Sequence, residues 1–131
     1  MKHLKIGVVG ATGKGRSLAR YWHDPDGKSS VIAAMDVSPH ALDSFKERIN
    51  PDAQVTQNYE DFLGIEEVDA VGVGSPDFTH EEYVVSAFRA GKHVFCEKPM
   101  AITTQGCDRM LKAWRESGKI TAQLCWNSKA V

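Results

Sequence analysis

No CxxC pair, no apolar run long enough to cross a membrane and no excess of either charge stand in this sequence, and each absence excludes a class. The 3 cysteines, Cys96, Cys107 and Cys125, are an odd number at wide spacing. That pattern builds neither a disulfide framework nor a zinc site, so reduced thiols in a cytoplasmic protein are expected. The stretch Met1-Lys2-His3-Leu4-Lys5 runs into a short apolar segment broken by glycine. It is too short for a signal-peptide core or a membrane span. With 16 Lys and Arg against 17 Asp and Glu, the formal net charge is -1. Nucleic acid and anionic lipid therefore have no electrostatic claim as partners. Repeats, low-complexity tracts and linkers are also missing. What remains is 131 residues, 42% hydrophobic and 25% charged, which is the composition and size of one ordinary globular domain.

Short apolar runs alternate with helical patterns along the chain, the signature of a parallel α/β sheet. The runs are Leu4–Val9, Val31–Met35, Ala53–Thr56, Ala70–Gly74, His93–Cys96 and Ile120–Leu124. Several are almost continuously apolar, as strands covered on both faces must be. Leu18, Tyr21 and Trp22 are the expected buried residues of the first helix. Ser38-Pro39 caps a second, in which Leu42, Phe45 and Ile49 recur at helical steps. Thr79-His80-Glu81-Glu82 reads as a capping box before Tyr83, Val84, Ala87 and Phe88. Gly91 then stops that helix. A last stripe, Cys107, Met110, Leu111 and Trp114, follows Thr103-Thr104 and ends at Gly118. Right-handed crossovers among six strands predict a doubly wound Rossmann sheet in the order 3-2-1-4-5-6.

A glycine-rich turn, Gly10-Ala11-Thr12-Gly13-Lys14-Gly15, lies directly after the first strand and opens a helix. A dinucleotide site needs this placement: a tight turn, backbone close to a pyrophosphate, and helix N–H groups with their dipole facing its charge. Read as GxGxxG, the second glycine is replaced by Thr12, whose side chain would crowd the pyrophosphate unless Gly13 lets the loop swing aside. A glycine turn with no ligand is the alternative. The second strand ends in Asp36, at the distance where an acid accepts hydrogen bonds from the adenosine ribose. Val37 follows, where an arginine could have held a 2′-phosphate. Together these favour NAD, with NADP the less favoured cofactor. A reductase built on a Gly-Ala-Thr-Gly loop is the rival, and it wants glycine where this chain has Arg16.

Two further segments carry a resemblance. Ser75-Pro76-Asp77-Phe78-Thr79-His80 and Ala90-Gly91-Lys92-His93-Val94-Phe95-Cys96-Glu97-Lys98-Pro99 resemble the glucose–fructose oxidoreductase/inositol dehydrogenase/MocA family over essentially the whole chain. Its members carry Thr-Pro-x-x-x-His after the fourth strand and Glu-Lys-Pro after the fifth. The resemblance implies that Lys98 projects toward nicotinamide and substrate as the catalytic cation, with a cis peptide bond before Pro99. It also implies that Ser75, Pro76, His80 and Glu97 line the cofactor edge. Asn127 keeps a family asparagine, whereas Lys129 stands where arginine is usual and cannot form a bidentate fork.

The family continues into a second α/β domain that selects substrate and holds the other acid–base residues. The expectation is therefore that residues 1–131 are the NAD-binding domain alone, with the substrate domain absent. Its function would be that of the cofactor half of an oxidoreductase acting on a sugar, polyol or related hydroxyl compound, inactive by itself. A stand-alone NAD-binding or redox-sensing module, or a remnant that binds nothing, are the alternatives. Without the second domain, apolar residues near Leu124 and Trp126 would lack cover, so a homo-oligomer, a two-fold dimer, is expected.

Overall fold

The computed structural model describes residues 2–124, with side chains for 2–120. In chain order the elements are β1 (Leu4–Val9), α1 (Gly13–Trp22), β2 (Ser29–Met35), α2 (Pro39–Arg48), β3 (Gln54–Thr56), α3 (Tyr59–Leu63), β4 (Ala70–Val73), α4 (His80–Arg89), β5 (His93–Glu97), α5 (Thr104–Ser117) and β6 (Thr121–Leu124). A short 3-10 turn at Asp77–Thr79 precedes α4. The six strands form one parallel sheet in the order β3-β2-β1-β4-β5-β6. This is the expected Rossmann order. The chain reverses direction across the sheet between β1 and β4, so the crevice at their carboxyl ends is where such a sheet takes its ligand.

Strand alternation sends apolar residues to two cores. Ile6, Val8, Val31 and Ala34 pack under α1 and α2 with Ala19, Leu42 and Phe45. Val9, Met35, Val71, Val73, Val94 and Cys96 face α3, α4 and α5, where Phe62, Val84, Phe88 and Met110 cover them. The β1–β2 register shifts between Ile6 and Gly7, which pair with Val31 and Ala33. That irregularity at Ile32 lets Val31 and Ala33 serve opposite faces although two residues apart.

Three local expectations are corrected. Tyr21 is 84% exposed, because the buried face of α1 runs through Gly15, Leu18, Ala19 and Trp22, and Tyr21 lies about 100° off it. Small residues at 15 and 19 let this helix sit close to the sheet. Trp22 then reaches over β4, where Gly72 leaves room for its ring, and meets Phe95 edge-on at 5.0 Å. Secondly, Thr79 makes no side-chain capping bond to α4. Its hydroxyl donates to the Pro76 carbonyl at 2.6 Å instead, so the capping box does not form. Thirdly, α3 was not foreseen. Its five residues are too few to show a period, and Asn58 caps it by accepting from the Asp61 N–H. The cap at Ser38 forms as expected, and Thr103 caps α5 by accepting from the Gly106 N–H.

Candidate functional site

The loop after β1 is built from backbone packed on backbone. Gly10 has φ +93°, a region that side chains avoid. Its N–H donates to the Met35 carbonyl of β2 at 2.9 Å, while the Gly74 N–H donates to the Val9 carbonyl at 2.9 Å. A Cβ at Gly15 would lie 1.8 Å from the Gly10 oxygen, and one at Gly74 would lie 2.7 Å from the Gly15 backbone. Glycine is thus required on three segments that meet at one point. Gly74 was not singled out from the sequence as a site residue. The signal was present in a glycine ending a buried strand just before Ser75-Pro76.

Gly13 has φ +51° with open space around it, so conformation rather than room calls for glycine there. Thr12, just before it, is extended and exposed, and its hydroxyl does not cap α1. The first helical bond runs from Arg16 N–H to the Thr12 carbonyl at 3.3 Å. The N–H groups of Gly13, Lys14 and Gly15 therefore face out of the helix end. No acid stands in the first turn of α1, and Lys14 is exposed beside it. This end suits an anion.

Asp36, half-buried at the end of β2, borders the same end of the helix. Its Oδ2 accepts from the Ala11 N–H at 2.8 Å and its Oδ1 from the Ser38 N–H at 2.9 Å. Ser38 in turn caps α2 by accepting from the Ala41 N–H at 3.2 Å. A carboxylate offers about four acceptor positions, so two remain for a vicinal diol. Val37 and Phe78 flank the crevice with side chains 74% and 72% exposed. Burial and then the charges of Glu82 and Asp36 push the Tyr83 phenol above its ordinary range.

Across the crevice, the segments after β4 and β5 come together. Ser75 is half-buried, and its hydroxyl lies 2.7 Å from that of Thr79. Pro76 is exposed. His80 is only 1% exposed. Its Nδ1 lies 2.6 Å from the Pro99 carbonyl oxygen and its Nε2 2.8 Å from that of Ser75. The ring therefore stands behind the edge rather than on it. Glu97 is also buried, and its Oε1 accepts from the Lys98 N–H at 3.2 Å. Lys98 is exposed, and the Lys98-Pro99 peptide bond is cis, as expected. Asn127 lies outside the described residues. Among the described residues no group of three His, Cys, Asp or Glu could hold a metal, and no helix is long and apolar enough to cross a membrane.

These residues fit a dinucleotide. The glycine contacts and the open N–H groups make an anion cradle at α1, the Asp36 carboxylate stands beside it, and a cation stands at the far side. The profile of an oxidoreductase family with the NAD-binding Rossmann fold matches residues 4–124. Inositol 2-dehydrogenase of Agrobacterium fabrum is 38% identical over 121 residues, which are 92% of this chain and 36% of that protein. The chain thus spans about a third of the length of the curated relatives it matches. Scyllo-inositol dehydrogenase from Lactobacillus casei, solved with NAD(H) and scyllo-inositol, superposes with TM-score 0.84 at 28% identity. That alignment covers 93% of this chain and 36% of that one. KijD10, a 3-ketoreductase from Actinomadura kijaniata solved with TDP-benzene and NADP, superposes with TM-score 0.82 at 27% identity, covering 92% and 38%.

Proposed function

The chain belongs to the oxidoreductase family with the NAD-binding Rossmann fold, and from that premise we propose that it is the cofactor-binding part of a dehydrogenase acting on inositol or a related polyol or sugar. The observation that carries this reading is the open N-terminal end of α1 beside the Asp36 carboxylate. Gly10, Ala11, Thr12, Gly13, Lys14 and Gly15 would hold the pyrophosphate and Asp36 the adenosine ribose. Ser75, Pro76, Glu97 and Lys98 would form the nicotinamide side. When bound, NAD would supply the hydride acceptor or donor there. Lys98, as a cation at the carboxyl end of β5, would polarise the substrate hydroxyl or carbonyl as charge develops.

Residues 1–131 would form the cofactor domain, and substrate selection would require a further domain such as the relatives' greater length accommodates. A cytoplasmic setting is part of the reading and rests on the free thiols of Cys96 and Cys107. So is a homo-oligomer, although the residues that suggested it, Leu124 and Trp126, lie outside the described side chains. Sedimentation as a strict monomer would remove the oligomer alone.

Calorimetry with NAD and NADP tests the cofactor assignment. Asp36 should accept the ribose diol and repel a 2′-phosphate, since like charges brought together cost several kcal/mol. NAD should bind more tightly by at least about tenfold. Equal or tighter binding of NADP would overturn the role given to Asp36. No binding of either would overturn the site.

A further inference from the structure

His80 is fully buried, yet each ring nitrogen faces a backbone carbonyl oxygen, that of Pro99 at 2.6 Å and that of Ser75 at 2.8 Å. The two carbonyls belong to the irregular segments that follow β5 and β4. A buried polar ring is costly unless bonded, whereas Val84 and Phe88 on the same helix pack with apolar side chains alone. Packing therefore does not explain a histidine at this place. Carbonyl oxygens only accept, so the ring donates its N–H to one of them and stands in contact with the other, the tautomer deciding which.

Met100 packs against the core, but the 98–100 segment has few hydrogen bonds to locate it. Lys98 N–H bonds to the side chain of its neighbour Glu97, and the Cys96 thiol donates to the carbonyls of Glu97 and, at 4.0 Å, Met100. All of these bonds arise within five residues of chain. Among the described residues, His80 is the side chain from another element that hydrogen-bonds to this segment.

We infer that His80 is a positioning residue for the proposed reaction: it spans Ser75 and Pro99 and so sets the distance between the two segments that flank the nicotinamide. The inference rests on the assignment of Lys98 to that end of the site. It separates the two ends of the cofactor, because the adenosine and pyrophosphate end is built by β1, α1, β2 and Gly74, none of which His80 hydrogen-bonds. Losing the span should cost the nicotinamide half and spare the other.

The test uses the full chain, with NAD and ADP titrated by calorimetry. His80→Phe keeps a ring and removes both ring nitrogens, and with them the N–H. NAD should bind about tenfold more weakly, the size of a lost hydrogen bond or two, and ADP within about twofold of the parent. His80→Asn puts an amide nitrogen near the place of Nδ1 and should recover most of the NAD affinity through Pro99. Equal losses for both ligands, no loss for NAD, or an Asn variant as weak as the Phe variant would overturn the inference. If the parent chain binds no NAD, the functional reading fails instead, and amide NMR still decides the span. The Ser75 and Lys98 N–H signals should move between parent and His80→Asn or His80→Phe, and unmoved signals would overturn it. Should His80→Phe not fold, His80→Leu, which also removes the ring nitrogens, takes its place in both measurements.

Discussion

At the scale of single residues, Asp36 and Cys96 show how the same edge of the sheet treats charge. Asp36 holds its carboxylate where two backbone N–H groups point at its oxygens. Cys96 sits a few residues from the crevice on β5 and is the opposite case. Burial first, then the nearby Glu97 and Cys107, push its thiol up to about 12 from an ordinary 9.0. The thiolate is the reactive form, so this cysteine should be inert. Alkylation at pH 8 followed by peptide mapping should label Cys107 in the folded chain and Cys96 only in urea. Labelling of Cys96 at equal rates in both conditions would contradict its burial. A thiol raised on folding contributes stability in full below pH 9 and loses it as pH climbs toward 12. Urea midpoints measured upward from pH 9 should therefore fall less steeply in Cys96→Ala than in the parent. Asp36 was legible in the sequence because a lone acid ended an apolar run. The span made by His80 was not, since its acceptors are backbone carbonyls, which leave no mark in a sequence.

Elements bring a different balance of legible and hidden. The helix α1 and its glycine loop were legible as a pair, because Gly10 and Gly15 must be glycine for reasons of contact that any Rossmann turn shares. Their third partner, Gly74, comes from β4, and only the fold brings it to Gly15. Tyr21 departs from the face its aromatic character suggests, because α1 approaches the sheet through Gly15 and Ala19. Thr12 is where the loop and the helix make a testable demand. Its backbone is extended, which any residue adopts, and its hydroxyl caps nothing. Glycine there would lose only a few tenths of a kcal/mol as a helix cap, and it would clear the approach to the pyrophosphate. Thr12→Gly should tighten NAD binding about threefold in calorimetry, by the second-glycine rule. If binding weakens, the hydroxyl is a phosphate donor and the crowding account is wrong.

For the whole molecule, the consequence of the architecture is a division of labour. The carboxyl edge supplies the parts that bind a dinucleotide, and a cation at Lys98, but no titratable partner for Lys98 to exchange protons with is seen among the described residues near it. His80 is engaged by two carbonyls and Glu97 is buried against its own backbone neighbour. Binding and turnover should therefore separate in this chain. A ligand present at one hundred times its Kd stabilises the folded state by about 2.7 kcal/mol. For a chain of 131 residues, a gain of that size raises the melting temperature by roughly 10 °C. NAD at that concentration should produce such a shift in a thermal melt. A polyol such as inositol, added alone, should produce none, because the crevice offers it only one edge. The same sample should show no growth of NADH absorbance with inositol or simple sugars as donors. A melt unmoved by NAD would remove the binding site. Steady NADH formation by the chain alone would mean that the acid–base partner of Lys98 lies within these 131 residues, and that the division of labour drawn from the edge of the sheet is mistaken.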